Sequence, residues 1–447
     1  MRIIVVGAGE VGSYVAEKLS REGHDVALID QDPARAKEFA GRLDAHVIHG
    51  SGTSPQTLAE AGAARADLVV AVTSDDETNV VSAMLAKHAG TGRSIVRIQD
   101  RALRDAVSGD LADRTGADMV IDPDEETSAE IQELVEYPGA IEVDVMARGE
   151  ILVLGFRLSA DAPAVGHTLK ALGDAYAPDW QFLFGAITRG DQTVIPRGDQ
   201  RLAADDHVRV VCTPQGRNQL AELVGRQRSA PQRVLLLGGG RTAELLAPRL
   251  ARQIAHVTVV ERDADRAVEL AGRLEEATVL NGDITDADFL QEIEIGTNDL
   301  VVALTGDDDA NTLACLYAKS AGVAETIAVA HRLSLLPLLT EIGIDGALSP
   351  RTATANAVLR FARGDVTAVA TFLRGDVEVL EVEIRPDSPA AGRAVADLHL
   401  PKEALVGAVL SKQGAQIGRG STRLHPTDRV VLLAKPSAIR AAKATFG

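Results

Sequence analysis

Residues 3–12 read IIVVGAGEVG, and residues 234–243 read VLLLGGGRTA. In both stretches, four apolar residues run directly into a glycine-rich turn. A short buried strand that enters such a turn and continues into a helix is typical of the opening unit of a doubly wound α/β domain. Because the unit occurs twice, we predict two domains of this kind in one chain.

The repeat continues beyond the glycine turns. IDQDPARAKEFAGRL (29–43) aligns with VERDADRAVELAGRL (260–274), and DLVVAVTSDDETN (67–79) aligns with DLVVALTGDDDAN (299–311). A match of this density over about 90 residues indicates that a whole structural unit is duplicated. Within each copy, apolar strands alternate with helices, which predicts a parallel sheet covered on both faces.

A weaker repeat follows each strong one, because residues 185–211 resemble residues 407–433 in their short β-rich runs and glycine turns. The order is therefore A–B–A′–B′. We predict two Rossmann-like doubly wound parallel-sheet domains, each followed by a small α+β domain, with limits at 1–122, 138–224, 232–350 and 366–447. The polar, proline-containing stretch GRQRSAPQ (225–232) is predicted to link the halves.

A helix is predicted to join each Rossmann-like domain to its small domain. PDEETSAEIQELVEYPGA (123–140) reads as a helix that ends at Pro138-Gly139, and SPRTATANAVLRFARGD (349–365) is its counterpart. Within the first domain, Asp32-Pro33 predicts a helix start, because it places a capping side chain before a proline at the first helical position.

The first glycine turn carries a dinucleotide-binding pattern. Gly7 permits the tight turn, Gly9 leaves room for a pyrophosphate, and Gly12 lets the helix pack closely against the strand. The helix start offers backbone N–H groups to phosphate oxygens. Asp30, at the end of the next predicted strand, can accept hydrogen bonds from both ribose hydroxyls, and its charge disfavours a 2′-phosphate. The pattern favours NAD(H) or an adenosine nucleotide over NADP(H).

Polar residues at the ends of two later strands are further candidates. Thr73 and Ser74 end the strand DLVVAVT, where ligands of open α/β sheets lie. Ser74 and Asp75 could equally cap the next helix. Arg97 lies within a predicted buried strand, so it either reaches the phosphate-binding edge or pairs with Asp75 or Asp76.

The second copy has diverged from the first. Ala243 replaces the third glycine, Val329 stands where Arg97 would be, and Glu261 replaces Asp30. The turn itself is kept by three glycines, Gly238, Gly239 and Gly240. Two interpretations stay open: a nucleotide site of altered affinity or different ligand, or a vestigial site kept as scaffold.

The composition excludes some classes of function. The chain has 46 basic and 64 acidic side chains, a net charge of −18, and only 3% aromatic residues. Nonspecific binding to nucleic acid or to anionic lipid needs excess positive charge, so we expect neither. No apolar run approaches the ~18 residues of a membrane span, and we expect no signal peptide. The two cysteines, Cys212 and Cys315, predict buried thiols in a reducing, cytosolic compartment.

No catalytic or metal-binding arrangement is evident, so we expect no catalytic residue and no metal. Tyr14-x-x-x-Lys18 has the spacing used by some dehydrogenases, but it directly follows the glycine turn and is interpreted as a surface pair. The acidic run Asp307-Asp308-Asp309 is typical of a solvated helix start. Two hypotheses remain: a nucleotide-sensing regulatory protein without enzyme activity, and an NAD-dependent oxidoreductase acting on a small substrate.

The motifs MRIIVVGAGEVG, DLVVAVTSDDETN, EYPGA and LVVALTGDDDAN, in A–B–A′–B′ order, resemble the TrkA family of potassium-uptake proteins. That family carries two pairs of RCK (KTN) nucleotide-binding and RCK C-terminal domains. The resemblance implies a cytosolic regulatory subunit, peripheral on the cytoplasmic face of the inner membrane. It also implies docking on a TrkH- or TrkG-type membrane potassium translocator and assembly as a homo-oligomeric, tetrameric ring.

The resemblance implies NAD(H) as the ligand, with ATP or ADP as the alternative at either site. The implied first site consists of the glycine-turn residues and the strand-end residues, namely Gly7, Ala8, Gly9, Glu10, Val11 and Gly12 with Asp30, Thr73, Ser74 and Arg97. The implied second site consists of the corresponding residues of the second copy, Gly238, Gly239, Gly240, Arg241, Thr242, Glu261 and Thr305.

Overall fold

The computed structural model describes residues 1–109, 111–178, 180–190, 192–225, 230–362, 366–371 and 377–446. The chain divides into two compact units, one made of residues 1–128 and 349–364 and the other of residues 129–348 and 365–447. Residues 226–229 of the predicted linker between the halves lie outside the described part. Each unit is described separately.

The first strong repeat folds as a six-stranded parallel sheet in the order β3-β2-β1-β4-β5-β6. Its strands are β1 (Arg2–Val6), β2 (Asp25–Asp30), β3 (His46–His49), β4 (Leu68–Ala71), β5 (Arg93–Arg97) and β6 (Met119–Ile121). Its helices are α1 (Glu10–Arg21), α2 (Pro33–Ala40), α3 (Pro55–Glu60), α4 (Asp76–Ala89), α5 (Arg101–Ser108) and α6 (Ala112–Thr115).

Side-chain caps explain where these helices begin. The Asp32 carboxylate accepts a hydrogen bond from the backbone N–H of Ala34 at 2.8 Å, with Pro33 at the first helical position, as the sequence predicts. The Asp75 carboxylate caps α4 in the same way by accepting from Thr78 at 2.7 Å. Each cap satisfies a backbone donor that would otherwise lack a partner within the helix.

A joining helix and a small antiparallel sheet follow. The joining helix is α7 (Pro123–Glu136). The sheet has five strands in the order β10-β9-β11-β8-β7. The elements are β7 (Glu142–Met146), β8 (Ile151–Arg157), α8 (Leu169–Tyr176), β9 (Phe182–Arg189), β10 (Gln192–Val194), β11 (His207–Cys212) and α9 (Arg217–Leu223).

The second strong repeat has the same topology as the first. Its parallel sheet runs in the order β14-β13-β12-β15-β16-β17. The strands are β12 (Arg233–Leu237), β13 (His256–Glu261), β14 (Thr278–Asn281), β15 (Leu300–Ala303), β16 (Glu325–Val329) and β17 (Gly346–Leu348). The helices are α10 (Arg241–Ala251), α11 (Ala264–Arg273), α12 (Ala287–Glu292), α13 (Asp308–Ser320) and α14 (Leu336–Glu341). The predicted pair of doubly wound domains is confirmed.

The chain ends with the second joining helix and the second small domain. Its five-stranded antiparallel sheet runs in the order β18-β19-β22-β20-β21. The elements are α15 (Pro350–Ala362), β18 (Val366–Thr371), β19 (Glu378–Glu383), β20 (Ala404–Ser411), β21 (Gly414–Ile417), β22 (Arg429–Ala434) and α16 (Pro436–Phe446). The predicted small α+β domain after each Rossmann-like domain is thereby confirmed.

The two small domains pack against each other within the second unit through corresponding residues. A Cβ at Gly185 would overlap the side chain of Leu433, and a Cβ at Gly407 would lie 2.8 Å from Val211. Gly185 and Gly407 occupy equivalent positions of the weak repeat, as do Val211 and Leu433. The absence of a side chain at either glycine lets the two sheets approach closely, and the contact has approximate two-fold symmetry.

Each joining helix buries its apolar face against the Rossmann-like sheet of the other half. Val358 and Ala362 of α15, from the second half, are fully buried in the core of the first sheet. Ile131 and Leu134 of α7, from the first half, are buried in the core of the second sheet. The two halves of the chain therefore exchange their joining helices.

None of the helices in the described ranges combines the length and the apolar composition needed to cross a membrane.

Candidate functional site

The first glycine turn is shaped by two close approaches of the backbone. Gly7 has a φ of +102°, which residues with a side chain rarely adopt. A Cβ at Gly12 would overlap the carbonyl oxygen of Gly7, so α1 can start beside the turn only if that position lacks a side chain. A Cβ at Gly9, in contrast, would meet nothing within 4 Å. Open space therefore lies at the start of α1, where phosphates bind in folds of this class.

Asp30 ends β2 beside this turn and holds it in place. Its carboxylate accepts hydrogen bonds from the backbone N–H of Ala8 at 2.6 Å and of Asp32 at 2.8 Å. The side chain is only 7% exposed. Each carboxylate oxygen has a second lone pair, so the group remains able to accept further hydrogen bonds from hydroxyls.

A buried asparagine organises the ends of β4 and β5. The Asn79 side-chain oxygen accepts from the backbone N–H and the hydroxyl of Thr73, both at 2.8 Å. Its amide nitrogen donates to the carbonyl oxygens of Thr73 at 3.1 Å and Arg97 at 2.9 Å. Because Asn79 is fully buried and uses both ends of its amide, it fixes the two strand ends relative to each other.

Arg97 lies at the same edge of the sheet. Its guanidinium donates to the carbonyl oxygen of Thr73 at 2.8 Å and to the side chain of Gln99 at 3.2 Å. Burial lowers the pKa of Arg97, and the negative charge of Asp76 opposes this shift. The Asp76 carboxylate itself accepts from the backbone N–H groups of Gln99 and Asp100. The Arg97 guanidinium thus lies at this edge of the sheet, where the charge of Asp76 also acts on it.

The remaining residues predicted for the first site have different surroundings. Ser74 is exposed in the loop between β4 and α4, where Asp75 provides the helix cap. Val11 is half-buried and packs against the core of the sheet. Glu10 is exposed at the first position of α1 and forms an ion pair with Arg351 of α15. The structure therefore brings Gly9, Asp30, Thr73 and Arg97 together around the turn, with Ser74 at the periphery.

The second glycine turn repeats this geometry with one difference. Gly238 has a φ of +114°, and the Glu261 carboxylate accepts from the backbone N–H of Gly239 at 2.8 Å. A Cβ at Gly239 would lie 2.5 Å from Leu270 and 2.8 Å from the Glu261 carboxylate, so the longer acidic side chain already fills the space over the turn. A Cβ at Gly240 would meet nothing within 4 Å, as at Gly9.

The edge of the second sheet keeps the asparagine but not the arginine. Asn311 accepts from the hydroxyl of Thr305 at 2.6 Å and donates to the carbonyl oxygens of Thr305 and Val329, both at 2.9 Å. Val329 provides only its backbone at the position of Arg97. The second site therefore has the same framework and a less positive edge.

A different arginine lies beside the second turn. Arg266 of α11 donates to the carbonyl oxygen of Gly239 at 3.3 Å and pairs with Glu244 at 2.7 Å. Arg273 pairs with the same carboxylate at 2.9 Å. The predicted residues Arg241 and Thr242 begin α10 next to this cluster. Sequence reasoning missed Arg266, because only its position on α11 brings it to the turn.

Asp308 ties the start of α13 to the loop after β16. It accepts from the backbone N–H groups of His331 at 2.7 Å and Arg332 at 3.0 Å, and from the Arg332 guanidinium at 3.1 Å. Burial alone would raise its pKa, but these hydrogen bonds outweigh burial and lower the pKa to about 2. Asp307 caps α13, as the sequence predicts, but the prediction of a solvated run is wrong for Asp308, which is buried and bonded to the loop.

The asparagine network was also missed from sequence, although a signal was present. Asn79 and Asn311 are the last residues of the repeated motifs DLVVAVTSDDETN and DLVVALTGDDDAN. An amide that is kept in both copies, six residues after the threonine that follows the strand, indicates a shared structural role. Its burial and its bonds to a second strand could be read only from the fold.

Side chains suited to redox or metal chemistry are not gathered in the described part of the chain. It contains no group of three or more His, Cys, Asp or Glu side chains that could hold a metal ion. Cys212 and Cys315 are both buried, and burial raises the pKa of each thiol to about 12. Lys18 lies 5.7 Å from the ring centre of Tyr14 on α1, which agrees with a simple side-chain pair.

Comparison with known protein families shows a match over most of the chain. The TrkA-N domain family matches residues 3–123 and 234–350. The TrkA-C domain family matches residues 153–225 and 379–447.

Similar curated proteins cover nearly the whole chain. The Trk system potassium uptake protein TrkA homolog 1 of Methanosarcina mazei is 34% identical over 447 residues, 98% of each chain. The TrkA homolog of Archaeoglobus fulgidus is 33% identical over 97% of each chain. TrkA of Halomonas elongata is 31% identical over 97% of this chain and 95% of its own.

Solved structures share the fold at lower identity. The GsuK RCK domain has a TM-score of 0.58 and 19% identity, covering 100% of this chain and 94% of that one. The GsuK channel bound to NAD has a TM-score of 0.59 and 17% identity, covering 100% of this chain and 78% of that one. At this identity, the likeness establishes the fold alone.

The close approach at Gly12 predicts a strong effect on stability. We expect Gly12→Ala to lower the free energy of unfolding by about 2–3 kcal/mol, because the added methyl group must displace the backbone of the turn. Gly9→Ala, whose methyl group meets nothing within 4 Å, is the matched control and should change stability little. Urea denaturation of both variants tests this, and equal effects would contradict it.

The low pKa of Asp308 predicts a pH-dependent contribution to stability. Because its pKa is lowered on folding, the charged group stabilises the fold above pH ~4, and that contribution is lost as the pH falls towards 2. We expect Asp308→Asn to cost about 1–2 kcal/mol at pH 7, with the difference from wild type shrinking below pH ~4. Thermal denaturation of the wild type and the variant between pH 7 and pH 3 measures this difference in stability. A difference that stays constant over this pH range would refute the lowered pKa of Asp308.

Proposed function

The chain belongs to the TrkA family of potassium uptake proteins, and from this membership we propose that it is the nucleotide-sensing regulatory subunit of a Trk-type potassium uptake system. In this role the protein binds a nucleotide and transmits its presence to a membrane potassium translocator. It does not itself consume the nucleotide. The observation that carries the proposal is the duplicated glycine turn, each copy with an acidic side chain beside it and open space at the start of its helix.

NAD(H) is the proposed ligand of the first site. The buried Asp30 carboxylate beside the turn can accept from ribose hydroxyls and repels a 2′-phosphate. Gly9 leaves space for the pyrophosphate at the start of α1, and Arg97 places a positive charge at the neighbouring strand end. A channel of the same fold, GsuK, has been solved bound to NAD, which supports this choice.

The second site is proposed to bind a nucleotide with different affinity. Its edge lacks the arginine, since Val329 replaces Arg97, and Glu261 crowds the turn at Gly239. ATP or ADP is the alternative ligand at either site. The proposed binding residues are those of the two turns and the two strand ends, Gly7, Ala8, Gly9, Glu10, Val11, Gly12, Asp30, Thr73, Ser74 and Arg97 in the first and Gly238–Thr242, Glu261 and Thr305 in the second.

The partner is proposed to be a membrane translocator of the TrkH or TrkG type. The names of the relatives place them in the Trk potassium uptake system, and the described helices include no candidate membrane span. As the family resemblance implies, we place the subunit on the cytoplasmic face of the inner membrane, as a homo-oligomeric ring. The domains that carry these functions are proposed to span residues 1–122, 138–224, 232–350 and 366–447.

Regulation follows from thermodynamic linkage. A nucleotide can shift the arrangement of the domains only by the difference in its affinity for the two arrangements. If the translocator responds to that arrangement, its binding must change the nucleotide affinity by the same factor. The proposal therefore requires that nucleotide affinity differ between the free subunit and the subunit bound to its translocator.

Two matched variants test the two nucleotide sites separately. Gly9→Val and Gly240→Val each place a side chain in the open space at a helix start. A Cβ at either position would have no atom within 4 Å, so both proteins should fold normally. Gly9→Val should weaken NADH binding by more than about tenfold and leave binding at the second site unchanged. Gly240→Val should weaken nucleotide binding at the second site and leave NADH binding at the first site unchanged.

Isothermal titration calorimetry with NADH, NAD, ATP and ADP measures both effects. Adenosine serves as a control ligand, since it lacks the phosphates that the added side chain would block. If nucleotide binding were unchanged in both variants, the glycine turns would not be the binding sites. No binding of any of the four nucleotides to wild type would refute the proposed function.

Potassium flux into vesicles that contain a TrkH-type translocator tests the regulatory role. With wild-type subunit present, flux should change when nucleotide is added, and Gly9→Val should abolish the part of the response that depends on the first site. The calorimetry repeated with the translocator should give a different affinity from that of the free subunit. The linkage would be contradicted if added nucleotide did not change the potassium flux and the translocator did not change the nucleotide affinity.

A further inference from the structure

The two joining helices can be aligned residue by residue. The Thr127 hydroxyl donates to the carbonyl oxygen of Pro123 at 2.6 Å, and the Thr354 hydroxyl donates to that of Pro350 at 2.7 Å. These matching bonds, at the first turns of α7 and α15, show which residue of one helix corresponds to which residue of the other. In that register, the residue after each proline is Asp124 in α7 and Arg351 in α15.

The first residues of α1 and α10 are aligned by the glycine turns. Glu10 follows Gly9, and Arg241 follows Gly240. Glu10 and Arg351 form an ion pair within the first unit. In the other copy of each repeat, Arg241 corresponds to Glu10, and Asp124 corresponds to Arg351. The charge is reversed at both positions.

A second reversal lies at the other ends of the joining helices. Arg93, at the start of β5, donates to the carbonyl oxygens of Phe361 at 3.3 Å and Ala362 at 3.4 Å, where α15 ends. Its guanidinium also lies 5.1 Å from the ring centre of Phe361. Arg93 thus complements the negative end of the α15 dipole.

The duplicate of Arg93 is an acid. Ser94 and Thr326 each donate a backbone N–H to an equivalent aspartate, which aligns β5 with β16 and Arg93 with Glu325. The Glu325 carboxylate accepts from the backbone N–H of Gly139 at 3.0 Å, just beyond the end of α7. Each Rossmann-like domain therefore contacts the end of the other half's joining helix through a charged residue, which is basic in the first domain and acidic in the second.

Apolar packing holds each joining helix against a Rossmann-like sheet. Ile131 of α7 and Val358 of α15 occupy aligned positions, and both are fully buried against a Rossmann-like sheet. The buried residues of the two helices differ in size: α7 buries Ile131, Leu134 and Val135, whereas α15 buries Val358 and Leu359 with three alanines, Ala355, Ala357 and Ala362. Burial of this kind is proportional to area and carries little directional preference. The charged positions add a preference whose sign depends on which half of the chain supplies the helix.

We propose that the reversed charges make each half of the chain pair with the other half of the same chain and reject the same half of a second copy. In a pairing of two first halves, Glu10 of one copy would face Asp124 of the other. In a pairing of two second halves, Arg241 would face Arg351. Like charges at these positions oppose both pairings, as in interfaces whose specificity depends on repulsion from the wrong partner. Contacts between copies in an oligomer must then use other surfaces.

Charge reversal in the full-length chain tests the selection. Glu10→Arg and Arg351→Glu each place like charges opposite each other, and each should lower the thermal midpoint by about 2–4 °C. The double variant restores the opposite charges and should recover the wild-type midpoint. Glu17→Arg, at an exposed pair with Arg21 on the same helix, is the matched control and should have little effect.

The double variant also makes a distinctive prediction about assembly. It places an arginine at position 10 in the same half as Asp124, and a glutamate at position 351 in the same half as Arg241. Like charges then no longer oppose the pairing of two first halves, or of two second halves, from different copies. Light scattering should show larger assemblies that grow with protein concentration, at an unchanged thermal midpoint. Additive effects on the midpoint, or a mass equal to wild type at all concentrations, would overturn the proposal.

Chemical crosslinking keeps the proposal testable if a charge variant fails to fold. Glu10→Cys with Arg351→Cys places two thiols at the paired positions, and a short bismaleimide should join them. Cys212 and Cys315 are buried with the pKa of each thiol raised to about 12, so they should not react. A crosslink within one chain, seen as a monomer on a denaturing gel, is expected. Crosslinked dimers would overturn the proposal.

Discussion

The structure depends on the contact between the first turn and the first helix of each Rossmann-like domain. In the first domain this contact leaves no space for a side chain at Gly12, because a Cβ there would overlap the Gly7 carbonyl. The helix start is thereby held at the end of the central strand, with its N–H groups directed to the sheet edge. Asp30, Thr73 and Arg97 reach the same edge because β2, β4 and β5 run parallel to β1.

Much of the fold could be predicted from sequence, since its signals are local. Buried strands, glycine turns and caps such as Asp32 each act within a few residues, and the repeat supplied the domain order. At the candidate site, the turns and acidic residues were identified. Asn79 and Arg266 were missed, because their roles arise from contacts between elements far apart in sequence.

The exchange of α7 and α15 could not be predicted from hydrophobic pattern. Both helices carry an apolar face, and the aligned residues Ile131 and Val358 are each fully buried against a Rossmann-like sheet, so the hydrophobic pattern does not tell which sheet receives which helix. What separates the two arrangements is a small number of charged positions, which acquire meaning only when the partner is known. Arg351 is unremarkable in sequence and becomes informative only through its pair with Glu10.

The contact between the small domains has a consequence for how the two halves could diverge. Gly185 faces Leu433 and Gly407 faces Val211, so the chain contains the interface of a symmetric dimer made from one polypeptide. In a true dimer, every substitution appears twice and alters both sites at once. Here a change such as Arg97 to Val329 affects one edge alone. A duplication within one chain therefore lets the two sheet edges differ in charge, while the contact between the small domains constrains both halves together.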